Sequence, residues 1–256
     1  MDLVNPFDPA AIDTEYKAGD DMLYLQYLRD SGDDVQAAWV LRRAPVSGDV
    51  ESDEGTIALK YHGFAGQGEY DLLVAQSYGD TVIGVGAGRS IGGAVWSADL
   101  VATKTDLDTY VQFVTNLSYS WTWRGKNMSG ALEYYHNGFG VSRYDAPNLL
   151  ANPDLLARVE RGELFALGRN YLAGSVMIEV TPLWNLTPML LCNIEDPSAL
   201  LQLVSNVSLG DNMTLLGSLG VPLGANGSEF GGIESPVPGR YLSTDGGLFV
   251  QLAWYF

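Results

Sequence analysis

Apolar and polar residues alternate along most of this chain in runs of about ten, each run closed by a cluster of turn residues. The clearest run is VQFVTNLSYSWTW at 111–123, where every odd position but Thr115 is apolar or aromatic and every even position but Val114 is small or polar. A period of two sends successive side chains to opposite faces of a pleated strand. The run therefore predicts a strand with one apolar and one polar face, and Arg124-Gly125-Lys126-Asn127 after it predicts a tight turn. The same grammar predicts strands near 22–29, 34–43, 56–64, 69–78, 81–89, 93–104, 109–123, 128–137, 170–181, 184–194, 198–209, 211–223 and 244–256. The run at 81–89 is the weakest, because Gly84, Gly86 and Gly88 lower its strand propensity. Their spacing superficially resembles a nucleotide loop, but no helix follows, so they are read as part of a strand.

Connections between the runs alternate in length. Those at 44–55, 138–168 and 224–244 are long, and all fall on one side of the sheet. Those at 124–127, 182–183 and 210–211 are tight and fall on the other. Within the longest connection, Asn152 stands where an N-cap is expected, followed by Pro153, Asp154 in the first turn, and Gly162 after the last turn. That order predicts a short helix over 152–162 with Leu155, Leu156 and Val159 on its apolar face. Loops of this length usually have a function of their own, here narrowing a lumen or capping its rim.

Many antiparallel strands of this kind close in one of two ways: as a soluble barrel or sandwich with its apolar face inside, or as a membrane barrel with that face outside. The polar face decides. Its positions are mostly Ser, Thr, Asn, Gln and Gly, whereas a water-exposed face would be rich in Lys and Glu. The aromatic residues Tyr119, Trp121, Trp123 and Trp254 sit toward strand ends, the placement of an interfacial aromatic girdle. The fold expected is all-β, an antiparallel up-and-down transmembrane β-barrel of about 12–14 strands, with a short helix in a long external loop. It occupies residues 22–256, and residues 1–21 form an external loop or N-terminal extension.

Composition narrows the reading further. The 256 residues are 46% hydrophobic and 18% charged, with a net charge of -17 and a single cysteine, Cys192. No apolar run approaches the roughly 18 residues of a membrane-spanning helix. The acidity argues against nucleic acid, whose phosphates need a clustered basic surface. The acidic residues bunch in the connections, as in 48–54, where they read as solvated loops. One cysteine rules out an internal disulfide framework, and Cys192 lies in the apolar phase with Leu186, Leu190 and Ile194. Residues 1–21 carry no secretory signal, and thirteen is an odd number of strands. Two expectations follow: the chain is the C-terminal part of a longer barrel, or the weak run at 81–89 is not a strand and the count is twelve.

The final strand places Leu248, Val250, Leu252, Trp254 and Phe256 on one face and ends on the phenylalanine. This resembles the C-terminal assembly signal of Gram-negative outer-membrane β-barrel proteins, porin-like in strand grammar. The resemblance implies a cell-envelope protein of the outer membrane, with the barrel-assembly machinery, outer-membrane lipid and lipopolysaccharide as partners. The rival reading of these residues is a terminal edge strand of a soluble β domain.

A barrel of this size has room for water. The strand phase turns Arg42, Lys60, His62, Asp71, Asp99, Glu133 and Glu179 inward. Basic residues on one wall and acidic ones on others would set up a transverse field that filters small solutes. The function expected is passive passage of such solutes through a channel. Two alternatives are a structural or adhesive barrel acting through its external loops, and a lipid-modifying barrel enzyme using His62 or His136 as base. The sequence holds no G-x-S-x-G or H-E-x-x-H motif and no EF-hand spacing, so no catalytic residue, metal or cofactor is assigned. A homo-oligomer is compatible with this reading.

Overall fold

The structure is a computed structural model that describes residues 21–43, 48–235, 237, 239–242 and 246–256. Among the described residues thirteen strands form one sheet, each pairing antiparallel with the next of the thirteen along the chain. They are β1 (Asp21–Leu28), β2 (Asp34–Leu41), β3 (Thr56–Ala65), β4 (Gly68–Ser77), β5 (Asp80–Ile91), β6 (Ala94–Lys104), β7 (Thr109–Trp123), β8 (Lys126–Asn137), β9 (Asn170–Thr181), β10 (Trp184–Asn193), β11 (Ser198–Gly210), β12 (Met213–Leu223) and β15 (Gly247–Trp254). Two-residue strands β13 (Ile233–Glu234) and β14 (Tyr241–Leu242) pair with each other in the connection before β15. All thirteen predicted strands are present. The glycine-interrupted run is the twelve-residue strand β5, so the count among the described residues is thirteen and not twelve. Residues 1–20, on which the expected N-terminal extension falls, lie outside the described residues.

Short and long connections segregate as the pattern predicts. At one end of the sheet β7 and β8 are joined by Arg124-Gly125 alone, both with positive φ (51° and 74°), the mirror-image turn whose twist matches that of the flanking strands. Lys126 and Asn127, expected in the turn, already belong to β8. The opposite end carries the connections at 42–55, 138–169 and 224–246, together with a tight Tyr78-Gly79 turn of the same positive-φ type.

Cross-strand partners share a face, so the register fixes which side chains meet. One row runs Leu117, Leu132, Gly174, Leu190, Leu201 and Val221 across β7 to β12, and these leucines are exposed. The row on the other face runs Asp71, Gly86, Asp99, Val114, Tyr135, Tyr171 and Asn193 across β4 to β10. Apolar side chains thus coat the outer face, while Thr56, Ser77, Thr103, Asn193 and Gln202 are buried on the inner one. Soluble monomers rarely expose a contiguous apolar patch of more than a few hundred Å². Here the pattern of a soluble β domain is inverted across the whole sheet.

The apolar core belongs to the longest loop instead. Phe139, Val141, Tyr144, Leu155 and Leu164 are buried together, with Tyr110, Leu149, Leu167 and Ile233 packed on them. That loop carries two helices, α1 (Ala146–Leu150) and α2 (Pro153–Glu160). The sequence pattern predicted only the second. α1 has its own signal, Asp145 accepting from Asn148 N at 2.8 Å with Pro147 in the first turn, but its five residues are too few for a period to show.

Candidate functional site: an inward-folded helix over a charged lumen

α2 forms for local reasons. The Asn152 side chain accepts from Leu155 N at 3.1 Å, Pro153 occupies the first position, Asp154 lies at the positive end of the helix dipole and Arg158 near the negative end. Gly162 follows with φ +69°, the left-handed conformation that ends a helix most easily on glycine. Asn152 also donates to Phe139 O at 2.8 Å, which ties the helix start to the loop core.

The loop folds onto the inner face and does not project from the rim. Leu155 is fully buried, and Arg158, from the next turn, donates to Asp80 on β5 at 2.5 Å while its guanidinium lies 4.0 Å over the Phe139 ring. Asp154 accepts from Thr105 Oγ1 at 2.9 Å, a second anchor to the β6–β7 turn. Arg161 and Arg42 each lie 4.1 Å over the Tyr78 ring. α2 therefore reaches from the β8–β9 end of the wall to the β4–β5 turn. Beneath it lies a cavity of about 300 Å³ lined by Asp99, Thr103, Gln112, Tyr135, Arg158 and Glu163, among others.

A buried polar knot holds the loop base. Glu229, from the connection before β15, accepts from Tyr171 Oη at 2.6 and 2.7 Å, from Asn193 Nδ2 at 2.7 Å and from Leu167 N at 2.7 Å. Its own N donates to Asp196 Oδ2 at 2.5 Å. Asn193 Nδ2 also donates to Tyr144 Oη, and Gly168 N donates to Tyr171 Oη. Burial, reinforced by the Glu229 charge, holds the Tyr144 hydroxyl above the ordinary tyrosine range. A side chain on Gly168 would collide with Asn193, Tyr144 and Tyr171, so the neck of the loop requires glycine there.

The predicted inner-face residues all lie on the inward phase, but they group differently from the expected opposing walls. Asp71 sits directly across from His62 and takes Lys60 Nζ at 3.1 Å and His62 Nδ1 at 2.9 Å. Basic and acidic groups are thus neighbours on one wall. Arg42 is buried at the loop end, donating to Glu54 O and Thr56 Oγ1 at 2.7 Å each. Asp99 lines the cavity. Glu133 accepts from Asn116 Nδ2 at 3.4 Å, and Glu179 from Asn127 Nδ2 at 2.8 Å near the short-turn end. His136 lies in register with Phe113 on the outer face, its Nδ1 2.8 Å from Asn170 Oδ1. Cys192 pairs with Leu172 and Ala199, also on the outer face.

Tyr119, Trp121, Trp123 and Trp254 all point outward at the short-turn end, and Trp96 and Trp184, which sequence reasoning had not singled out, join them there. Five of the six tryptophans therefore share one end of the outer face. On β15, Leu248, Val250, Leu252 and Trp254 alternate outward, and Phe256 follows beyond the strand. Arg158, Asp80, Glu229, Tyr171 and Asn193 went unrecognised in the sequence. Only Arg158 had a local signal there, lying one turn from Leu155 on the predicted helix.

Glu163 gives α2 a pH dependence. Burial raises its carboxyl above the ordinary glutamate value of 4.5, against the pull of Arg161, Arg158 and Arg42 and with the push of Asp80. A carboxyl raised in the packed state binds its proton more tightly there. Its contribution is full below 4.5 and is lost as pH rises through the raised value. α2 should therefore seat more firmly in acid. Cleavage within 138–169 in limited proteolysis should become slower relative to Glu163→Gln as pH is lowered through this window. The same pH dependence in the parent protein and in Glu163→Gln would refute this.

No family profile and no curated protein matches the chain. Among solved structures, a refined porin is similar over 92% of this chain and 91% of its own, at 9% identity and a TM-score of 0.46. The NanC porin is similar over 92% of this chain and 99% of its own, at 10% identity and a TM-score of 0.36.

Proposed function

We propose that the chain forms the wall of an outer-membrane channel for passive passage of small solutes, narrowed from within by α2. The observation that carries this reading is the inversion of the sheet: apolar side chains and a tryptophan-rich end outside, polar and charged groups inside, and the longest loop packed into the interior. An indole ring is most stable at the headgroup level of a bilayer, where its N–H can stay hydrogen-bonded. The outer belt would then contact outer-membrane lipid, with lipopolysaccharide at the long-loop end. The outward residues of β15 with Phe256 would be what the assembly machinery reads.

Among the described residues β1 and β15 each pair on one side only. As the first and last of thirteen alternating strands they run in the same direction. Antiparallel closure of this wall therefore calls for a further strand between them.

The lipid-modifying alternative gains no support from the placement of its bases, since His62 is tied to Asp71 on the inner face and His136 lies on the outer one. The channel reading is tested by solute influx into proteoliposomes: small sugars should enter faster than into protein-free vesicles, and larger ones should not. Equal rates for protein-loaded and empty vesicles would refute it. The membrane orientation makes a separate prediction. Val250→Arg, on the exposed outer face four residues from the interfacial Trp254, should lower the stability of the inserted protein by about 2–4 kcal/mol. Gln251→Arg, on the inner face, should cost far less. Unfolding titrations in lipid vesicles that give equal losses for the two variants would contradict the orientation.

A further inference from the structure

We infer that the channel prefers cations, an inference that rests on the channel reading and adds a substrate class to it. Among the described residues, the inner face of the strands carries Asp34, Glu69, Asp71, Asp80, Asp99, Glu133 and Glu179 against Lys60 and His62, with Arg42 just beyond the end of β2. Both basic groups converge on Asp71, and the other ring nitrogen of His62 lies 4.0 Å from Glu69.

Three of the other acids are held differently. Asp34 accepts from Gln36 Nε2 at 2.7 Å, Glu133 from Asn116 Nδ2 at 3.4 Å and Glu179 from Asn127 Nδ2 at 2.8 Å. An amide satisfies the lone pairs of a carboxylate and adds no charge, so the negative potential of these groups persists in the lumen. Among the described residues, no ion pair includes any of the three. The arginines of the loop do not offset them, because Arg158 and Arg161 face Asp80 and Glu163.

The acids are spread along the wall. Asp34 begins β2 at the short-turn end, Glu179 lies near the same end of β9, and Glu133 sits farther along β8. Among the described residues, no three His, Cys, Asp or Glu side chains converge as a metal site would require. The arrangement suits hydrated monovalent cations and small organic ammonium ions in transit. Charges lining a water-filled passage act over the roughly 8–10 Å of the Debye length at physiological salt, and low-dielectric walls focus their field. Acidic linings of this kind select cations.

The test is the reversal potential of the detergent-refolded full chain under a KCl gradient, compared with Glu133→Gln/Glu179→Gln and with Lys60→Ala. These variants lie on the inner face, and heat-modified gel mobility checks that each has folded. The parent protein should favour potassium over chloride. The double variant should bring that ratio down toward one, and Lys60→Ala, by uncovering Asp71, should raise it. Chloride preference in the parent, or a ratio unmoved in the double variant, overturns the selectivity while leaving the channel in place. No conductance in any variant overturns the channel reading, and the selectivity falls with it.

Discussion

Replacing Glu229 by alanine should release the connection before the last strand and loosen the base of the long loop at the same time. Three donors, Tyr171 Oη, Asn193 Nδ2 and Leu167 N, end on its two carboxylate oxygens inside a buried pocket. Each donor left without a partner costs about 1–3 kcal/mol, so the loss should reach several kcal/mol where water cannot take the place of the carboxylate. Glu229→Gln should be milder, because one carbonyl oxygen still accepts while the new amide faces donors. The readout is limited proteolysis together with the temperature at which heat-modified mobility appears. Cleavage should open within 224–235 and within 138–169, and the transition should fall. A cleavage pattern and transition matching the parent protein would mean that the knot does not hold the loops.

Arg158→Ala should unseat α2. The Arg158 and Asp80 side chains are 7% and 17% exposed and meet at 2.5 Å. Removing one partner from a buried ion pair costs about 3–5 kcal/mol, because the other charge is left uncompensated. The variant also loses the contact with Phe139. Conductance steps should become larger and more variable as the helix leaves the lumen, and Asp80→Asn should give the same phenotype from the opposite side of the pair. Steps unchanged in both variants would show that α2 does not narrow the passage.

How far the molecule could be read in advance depended on how local each signal was. The strands were legible because a period of two repeats within each segment, and three inward glycines did not erase it in β5. The outward phase of Tyr119, Trp121, Trp123 and Trp254 follows from the same alternation, as does the inward phase of Lys60, His62 and Glu133. Pairing was less accessible. Asp71 meets His62 because a two-residue turn at 66–67 sets the register, and counting outward from that turn would have found the pair. α2 announced itself through Asn152, Pro153 and Gly162. The direction in which its loop folds did not, since it depends on Asp80 and Thr105 far away in the chain. The knot was invisible for the same reason: Glu229 reaches Tyr171 across 58 positions and Asn193 across 36, from a connection with no period to read.

The most direct test of the channel reading is single-channel conductance in a planar bilayer, made with detergent-refolded protein whose heat-modifiable mobility shows that it has folded. Discrete, stable current steps are expected, because a wall with a polar inner face can enclose water and ions. Folded, inserted protein that gives no current steps would contradict that reading.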